Sequence, residues 1–271
     1  MRFDDALQLL PPSWRTALAG HDVEPVPGMG GASVFRVSDA AGGRLYLKLA
    51  SRPGAELLRQ EIARTEWLSS HHIRVPEFLM MAFTDEVAAV LMTAVSGRHL
   101  SGHQASGHPA PRPGDLAAML RTIGRGLARL HALPAAGCPF DEMPRTRLRR
   151  ARAAIDCNLI DAREFDDRNA GVTPAGLYQR LAGTIPERED IVVVHGDATL
   201  ENMLIGADGE LGFIDCGHAG RSDRYLDLAL VEADLREAFG CGAAEDFKAA
   251  YGIRCWDDRK AAFFRDLYEL F

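Results

Sequence analysis

From Ile191 to Asp227 the chain reads IVVVHGDATLENMLIGADGELGFIDCGHAGRSDRYLD, and this stretch decides the fold. The β-branched run at its start predicts a buried strand, which delivers His195, Gly196 and Asp197 onto a loop. Asn202 follows Asp197 by five residues. Taken singly, the carboxylate is also compatible with a helix cap and the amide with a turn. Their combination with the segment that follows predicts a catalytic site.

That following segment is predicted to form a hairpin. Met203–Ile205 and Leu211–Ile214 are apolar and strand-like, with Asp208 and Gly209 between them. Asp-Gly flanked by apolar runs is typical of a hairpin loop of two residues.

The two-residue loop sets a register. Counting outward from it pairs Ala207 with Glu210 and, at the open end, Asn202 with Asp215. Directly opposed residues have Cα atoms about 4.5–5.5 Å apart, close enough for an amide oxygen and a carboxylate to share Mg²⁺. Asp197 is then left to receive the proton of a substrate hydroxyl. Metal ligands, a positioned hydroxyl and a proton acceptor are what phosphoryl transfer requires.

The same stretch resembles the catalytic loop and metal motif of the aminoglycoside 3'-phosphotransferases, which are relatives of the protein kinases. The resemblance rests on His-Gly-Asp-x-x-x-x-Asn at 195–202 and Ile-Asp-Cys-Gly at 214–217. It covers most of the chain from about Gly28 onward. Further matching positions are Gly217, Gly220, Asp223, Arg224, Tyr225, Asp227, Ala229, Leu130-His131, Cys138-Pro139-Phe140-Asp141 and the terminal Leu267-Tyr268-Glu269-Leu270-Phe271.

The resemblance implies an α+β, two-lobed, protein-kinase-like fold. Its small antiparallel-sheet lobe would span residues 1–94 and bind a nucleotide, and its larger, mainly helical lobe, residues 95–271, would carry catalysis and substrate binding. The residues fit this division. Strands are predicted at Ser33–Val37, Leu45–Leu49 and Val87–Met92, a helix at Glu56–Leu68, and a loop at Ser96–Gly114. A helix with a buried stripe is predicted from Leu116, Met119, Leu120, Ile123, Leu127 and Leu130.

By resemblance, Asp197 is the catalytic carboxylate, and Asn202 and Asp215 bind Mg²⁺. His195 and Asp227 are expected to support the catalytic loop, Asp227 through His195 or through loop amides. Lys48 points away from the Leu45, Leu47 and Leu49 side of its strand and is expected to hold nucleotide phosphates. Its expected partner is Glu61, with Glu56 and Glu66 as rivals.

The remaining site residues also follow from the resemblance. Gly30, in the Gly-rich loop at 28–33, is expected over the phosphates, and Met92, Thr93 and Val95 beside the adenine. An acid-rimmed pocket for a polycationic substrate is expected from Asp166, Glu201, His218, Glu237, Glu269 and Phe271 with its carboxylate. Many relatives carry arginine where this chain has His218 and Ala233, which leaves the preferred antibiotic open.

The totals of the chain narrow its class. Its 271 residues, 47% of them apolar, suit one large domain or two lobes, and a net charge of −7 disfavours nucleic-acid partners. The arginines at 145–152 are a candidate nucleic-acid patch, but without an aromatic or repeated basic motif they are expected instead to form the solvated face of a helix. Five scattered cysteines indicate reduced, mostly buried thiols. With no secretory signal or membrane span visible, the sequence predicts a cytoplasmic protein without an obligate protein partner.

The predicted function is a kinase that transfers the γ-phosphate of ATP, with GTP as the alternative donor, to a hydroxyl of kanamycin- or neomycin-type antibiotics. Two alternatives remain. One is a kinase of the same fold that acts on another aminoglycoside hydroxyl, a macrolide or an amino alcohol. The other is a nucleotide-binding regulator without catalysis, which the presence of Lys48, Asp197, Asn202 and Asp215 disfavours.

Overall fold

The computed structural model describes residues 3–26, 31–38, 43–84, 87–100 and 112–271, and all structural statements concern these. The chain divides into two compact units. The first comprises Met1–Ser96 and Phe213–Gly217, and the second comprises Gly97–Gly212 and His218–Phe271. A single boundary near residues 94–96 would assign Phe213–Gly217 to the second lobe, whereas in the structure this segment groups with the first unit.

The first unit is built on a five-stranded antiparallel sheet. The described helices and strands of this unit are α1 (Phe3–Gln8), α2 (Pro12–Leu18), β1 (Asp22–Val26), β2 (Ser33–Ser38), β3 (Arg44–Ser51), α3 (Gly54–Ser70), β4 (Phe78–Phe83) and β5 (Val87–Thr93). The strand order in the sheet is β1-β2-β3-β5-β4. The predicted strands and helix are confirmed, each with its ends within two residues of the prediction. The predicted loop at Ser96–Gly114 lies largely outside the described residues, and Gly30 lies outside them.

Alternation along β3 supplies both faces of this sheet. Leu47 and Leu49 are buried in a cluster with Trp14 of α2. Ala50 points to the opposite face and packs with Ile62 of α3. Since side chains two apart on a strand share a face, Lys48 lies on the side that α3 covers.

The second unit is mainly helical. Its described helices are α4 (Pro113–His131), α5 (Pro144–Asp156), α6 (Pro174–Ala182), α7 (Tyr225–Phe239), α8 (Cys241–Tyr251) and α9 (Asp258–Tyr268), and the remaining strands are β6 (Arg98–His99), β7 (Ile191–Val194), β8 (Met203–Ile205), β9 (Leu211–Phe213) and β10 (Gly220–Asp223). β7 pairs with β10 in an antiparallel ladder, and β8 lies between β6 and β9.

Helix α7 lies at the centre of this unit. Its residues Leu226 and Ala229 are buried against Phe264 and Leu267 of α9 and Val194 of β7. The predicted stripe of α4 is confirmed for Met119, Leu120, Ile123, Leu127 and Leu130, which are buried, whereas Leu116 is only half-buried.

The hairpin loop has a different length from the one predicted. The Gly206 amide donates to the Glu210 carbonyl at 2.9 Å, and the Gly209 amide donates to the Gly206 carbonyl at 3.0 Å. Gly209 has φ +79°. This is the loop of three residues in which a type I turn is followed by a left-handed glycine. The predicted pairing of Ala207 with Glu210 is therefore wrong by one residue.

The register of the hairpin accordingly does not place Asn202 opposite Asp215. Asn202 ends a 3-10 turn, Leu200–Asn202, ahead of β8, and the second strand stops at Phe213 rather than Ile214. Asp215 follows that strand with φ +54°. Both side chains are positioned by irregular backbone outside the ladder.

Two expectations about the surface can be compared with the structure. Among the described helices, none has the length and apolar composition required to cross a membrane. No disulfide joins the five cysteines, all of which lie in the described ranges; Cys138 and Cys216 are buried, while Cys157, Cys241 and Cys255 are exposed. The prediction of mostly buried thiols is wrong, because these three lie at helix ends and in loops.

Candidate active site

The loop after β7 holds Asp197 through Asn202. The Asn202 side-chain Nδ2 donates to the Asp197 backbone carbonyl at 3.0 Å and to Asp197 Oδ2 at 2.8 Å. Because the amide nitrogen is used in this way, the amide oxygen of Asn202 points elsewhere and is the atom that can bind a cation. The five-residue spacing thus makes a closed loop with an oriented carboxylate.

Asp227 supports this loop from the first turn of α7. Its carboxylate is fully buried and accepts from the His195 amide at 2.7 Å and the Gly196 amide at 2.8 Å. It also accepts from His131 Nε2 at 3.1 Å. Of the two modes expected for Asp227, the structure thus shows the one through loop amides.

A hydrogen-bonded chain extends from Asp227. His131 Nδ1 lies 2.8 Å from the Tyr251 hydroxyl, which accepts from Arg224 Nη1 at 2.7 Å. Burial raises the pKa of Tyr251 to about 12, so the phenol keeps its proton. Arginine can only donate, so the phenol proton points to His131 Nδ1. His131 Nδ1 is therefore the acceptor, and the imidazole proton lies on Nε2, towards Asp227.

Gly196 allows the loop to pass close to His218. Gly196 has φ +79°, and a Cβ at this position would lie 2.1 Å from the His218 carbonyl oxygen. Only glycine fits both the conformation and the space. The approach fixes the backbone of His218 against the catalytic loop.

Tyr268 contacts the proposed catalytic carboxylate directly. At the end of α9, its hydroxyl donates to Asp197 Oδ1 at 2.8 Å. Burial, together with the charge of Asp197, raises the pKa of Tyr268 above its ordinary value, so the phenol remains a donor. In the sequence, Tyr268 is part of the terminal motif, and no role is expected for it there.

Asp234 is a second residue that sequence reasoning missed. It lies on α7 and accepts from the Leu200 amide at 2.9 Å. Burial raises its pKa to about 6, and the charges of Glu237, Glu201 and Asp197 act in the same direction. The structure therefore groups two of the expected substrate-binding acids, Glu201 and Glu237, around Asp234 and close to Asp197. The spacing of Asp234 and Glu237 on one helix face was the available signal.

Glu269 is tied into the protein. Its side chain is only 6% exposed, and it accepts from the Asp166 amide and Asn169 Nδ2, both at 2.8 Å, and from Arg168 Nη2 at 3.1 Å. Its contacts thus anchor the end of the chain to the 166–169 segment. Asp166 directs its backbone amide to Glu269 and keeps a largely exposed carboxylate.

Phe271 packs against Arg147, one of the arginines at 145–152. The Arg147 guanidinium carbon lies 4.0 Å from the centroid of the Phe271 ring, and His218 meets the same ring edge-on at 6.1 Å. Arg147 is fully buried and donates to Glu142 Oε2 at 3.2 Å. Burial lowers its pKa to about 10. The expectation of a solvated arginine face is therefore wrong for Arg147, because Glu142 and an aromatic ring compensate its burial.

The first unit contains a separate charged cluster. Lys48 Nζ donates to both carboxylate oxygens of Glu61 at 2.8 Å and to Asp215 Oδ1 at 2.8 Å. Burial lowers the pKa of Lys48, but the charges of Glu61 and Asp215 outweigh it and raise the pKa above its ordinary value. The lysine is cationic at all physiological pH values. Its helix partner is Glu61 rather than Glu56 or Glu66.

The segment expected beside an adenine lies at the end of β5. Met92 pairs with Tyr46 and Phe78 in the sheet, and the Thr93 amide donates to the Glu77 carbonyl at 2.9 Å. The amide of Val95 finds no acceptor among the described residues.

The chemistry of the oxygen donors fits magnesium. Asp215 supplies a carboxylate whose side chain is 54% exposed, and Asn202 supplies the amide oxygen described above. Mg²⁺ is commonly held by one or two carboxylates together with substrate phosphates. Within the described ranges there is no group of three or more His, Cys, Asp or Glu residues that could hold a metal.

Known proteins resemble this chain over most of its length. An aminoglycoside 3'-phosphotransferase of Escherichia coli is 32% identical over 245 residues, covering 90% of this chain and 88% of its own. A solved type VIII aminoglycoside-3'-phosphotransferase has a TM-score of 0.84 at 30% identity and covers 99% of this chain and 98% of its own. The solved aminoglycoside phosphotransferase APH(3'')-Id of Streptomyces rimosus has the same TM-score and identity, with 100% and 99% covered.

These neighbours confirm the predicted α+β kinase-like fold. The model of the phosphotransferase enzyme family matches residues 22–264. This range includes the whole catalytic loop, Lys48 and its two carboxylate partners. The chain belongs to the phosphotransferase enzyme family.

Proposed function

We propose that the protein is an ATP-dependent, magnesium-dependent aminoglycoside kinase that phosphorylates the 3'-hydroxyl of kanamycin- and neomycin-type antibiotics. The observation that carries the proposal is the closed loop in which Asn202 fixes both the backbone and the carboxylate of Asp197. A carboxylate held in this way can orient an alcohol and accept its proton.

The residues of the catalytic loop divide the chemistry. The acceptor hydroxyl donates its proton towards Asp197 while its oxygen attacks the γ-phosphorus, and ADP leaves with the bridging oxygen. Asp227 holds the loop amides, so that Asp197 is in position before the substrate arrives. Bound Mg²⁺, for which Asn202 and Asp215 are the proposed ligands, would neutralise phosphate charge.

Lys48 is proposed to bind the nucleotide phosphates. Its two bonds to Glu61 fix the ammonium group on the α3 side of the sheet, and its third partner, Asp215, is a proposed metal ligand. The Val95 amide, which has no acceptor among the described residues, is available to bind the edge of a purine. This set of contacts serves ATP and leaves GTP as an alternative to be measured.

The acidic group of Glu201, Asp234 and Glu237 supports a cationic substrate. Amino sugars carry several positive charges at neutral pH. The pKa of Asp234 is raised by burial and, in addition, by the neighbouring carboxylates, and a bound cation relieves this mutual repulsion. Relatives named aminoglycoside 3'-phosphotransferase support the same substrate class. His218 and Phe271 are proposed to line the pocket, whereas Glu269 acts by anchoring the chain end.

A second position on the antibiotic is favoured by one comparison. The S. rimosus neighbour has been solved with ADP and streptomycin, and a streptomycin 3''-kinase of Streptomyces griseus is 33% identical over 221 residues. Phosphorylation of a 3''-hydroxyl is therefore the alternative regiochemistry.

One assay tests both candidates. ADP release is measured with MgATP and, in turn, kanamycin, an analogue that lacks the 3'-hydroxyl, and streptomycin, and the product is mapped by NMR. The proposal expects turnover of kanamycin, no turnover of the analogue, and loss of activity in Asp197→Asn. Asp208→Asn is the matched control, because Asp208 Oδ1 accepts the Glu210 amide in the hairpin turn, and asparagine retains that oxygen. Turnover by Asp197→Asn near the wild-type rate would exclude the mechanism.

A further inference from the structure

Both carboxylate oxygens of Asp197 already accept hydrogen bonds. Asn202 Nδ2 bonds Oδ2 at 2.8 Å, and the Tyr268 hydroxyl bonds Oδ1 at 2.8 Å. Asn202 belongs to the same loop motif as Asp197. Tyr268 comes from the last turn of α9, far along the sequence, and its hydroxyl stands where an alcohol would bind the carboxylate.

An acceptor alcohol needs the same contact. To be oriented, its hydroxyl must donate to an Asp197 oxygen at hydrogen-bonding distance. The Tyr268 phenol is likewise a hydroxyl that donates to an Asp197 oxygen, at 2.8 Å. Resting on the function proposed above, we infer that Tyr268 is a specificity-determining residue that keeps water from the Asp197 carboxylate until an antibiotic hydroxyl displaces the phenol.

The surroundings of Tyr268 restrict its movement. Glu269, the next residue, is bonded to the Asp166 amide and Asn169. Leu270 is buried, and Phe271 lies under the Arg147 guanidinium. Because the following residues are held at these points, we expect the phenol to keep its contact with Asp197 when no antibiotic is bound. A tightly bound antibiotic can supply the energy that displacement requires.

Selection against water matters for a kinase. Water is present at far higher concentration than any antibiotic, so an open carboxylate would activate it and hydrolyse ATP without benefit. A phenol that occupies the carboxylate blocks this reaction, yet its hydrogen bond is exchangeable for that of a sugar hydroxyl. The expected signature is low ATP hydrolysis in the absence of antibiotic.

Tyr268→Phe tests the inference, because it removes the hydroxyl and keeps the ring. We expect antibiotic-independent ATP hydrolysis to rise by about tenfold, the effect of one hydrogen bond to a charged group. We also expect the KM for kanamycin to fall, since the alcohol no longer competes with the phenol, while kcat changes little. The control is Tyr178→Phe, which removes a phenol of α6. Among the described residues, no hydrogen bond joins this phenol to Asp197.

Three results would overturn the inference. One is unchanged ATP hydrolysis in a Tyr268→Phe variant that thermal unfolding shows to be folded. Another is a fall in kcat at constant KM, which would mean that the phenol orients Asp197 and does not guard it. The third is an equal rise in hydrolysis for Tyr178→Phe. The hydrolysis measurement uses no antibiotic, so it still decides about Tyr268 if the substrate assignment fails.

Discussion

Gly196 lies against the backbone of His218 so closely that a methyl group on Gly196 would be 2.1 Å from the His218 carbonyl oxygen. Gly209 in the hairpin has the same φ of +79°, but a methyl group on Gly209 would have no other atom within 4 Å. The two glycines share a backbone conformation and differ in their surroundings. They form a matched pair for separating backbone strain from crowding.

Gly209→Ala is expected to lower the free energy of unfolding by about 1–2 kcal/mol, the cost of a left-handed alanine. Gly196→Ala adds overpacking and should cost about 3–5 kcal/mol in total. Urea unfolding of both variants measures the difference. Similar values for the two variants would contradict the close approach, and loss of activity in Gly209→Ala would contradict its role as a simple turn.

Arg147→Met should destabilise the second unit by about 3 kcal/mol, because the substitution removes one partner from a buried ion pair. Arg150 also bonds Glu142 and limits the loss. The double variant Glu142→Gln, Arg147→Met should recover part of it, since no buried charge then lacks its partner. Urea unfolding of the two single variants and the double variant gives the coupling energy. Strictly additive losses would show that Arg147 acts through Phe271 alone.

Glu61→Gln should lower kcat/KM for ATP by about tenfold, because the amide no longer fixes the Lys48 ammonium with a charged contact. Lys48→Met should lower it by about 100- to 1000-fold, the usual effect of removing a charge that stabilises the transition state. Glu56→Gln on the same helix is the matched control. Steady-state kinetics with varied ATP provides the readout, and an effect of Glu56→Gln equal to that of Glu61→Gln would refute the assignment.

Asp234→Asn is expected to stabilise the protein at pH 7 and weaken antibiotic binding. The folded-state pKa of Asp234 is raised by burial and by Glu237, Glu201 and Asp197, from the ordinary 3.8 to about 6. The folded state therefore binds the proton more tightly than the unfolded state, and this group lowers stability as pH rises from about 4 to about 6. Removing the charge should return about 1–2 kcal/mol at pH 7.

Urea unfolding at pH 4.5 and pH 7 checks the sign, because the variant should gain at pH 7 and not at pH 4.5. Kanamycin binding by calorimetry should show a step near pH 6 in the wild type that is absent from Asp234→Asn. Equal pH profiles for the two proteins would refute the role of Asp234. Glu237→Gln, a change on the exposed face of the same helix, should give a smaller gain in stability.

Local patterns were sufficient for the parts of the fold that repeat regularly. Alternation in β3 predicted which side Lys48 faces, and the helical spacing in α4 predicted its buried stripe. The hairpin register could not be read reliably, because Asp-Gly suits loops of two and of three residues, and only the Gly206–Glu210 hydrogen bond separates them. The register was the geometric argument for Asn202 and Asp215 as neighbouring magnesium ligands, so their proposed role now rests on the motif and on their oxygen chemistry alone.

Residues that depend on contacts distant in sequence were missed. Arg147 reads as one of several arginines on a polar helix, and its burial follows from Glu142 and from a ring at the end of the chain. Tyr268 acquires its contact with Asp197 because α9 ends beside the catalytic loop. Asp234 shares a helix face with Glu237, but its place beside the catalytic loop follows from the hydrogen bond that it accepts from the Leu200 amide. In each case, the informative feature is the partner, which no window of sequence contains.

The chain of hydrogen bonds from Asp227 through His131 to Tyr251 has a consequence for genetic selection. If every variant of the gene were grown under an antibiotic, positions 131, 227 and 251 would tolerate few substitutions although none of them is proposed to contact the drug or the nucleotide. The three positions would be sensitive together. If one side chain is lost, the hydrogen bonds no longer fix where the protons of the other two lie. Such a survey would find intolerant sites deep within the helices as well as around the drug pocket, and an inhibitor that disturbed this interior chain would act without resembling either substrate.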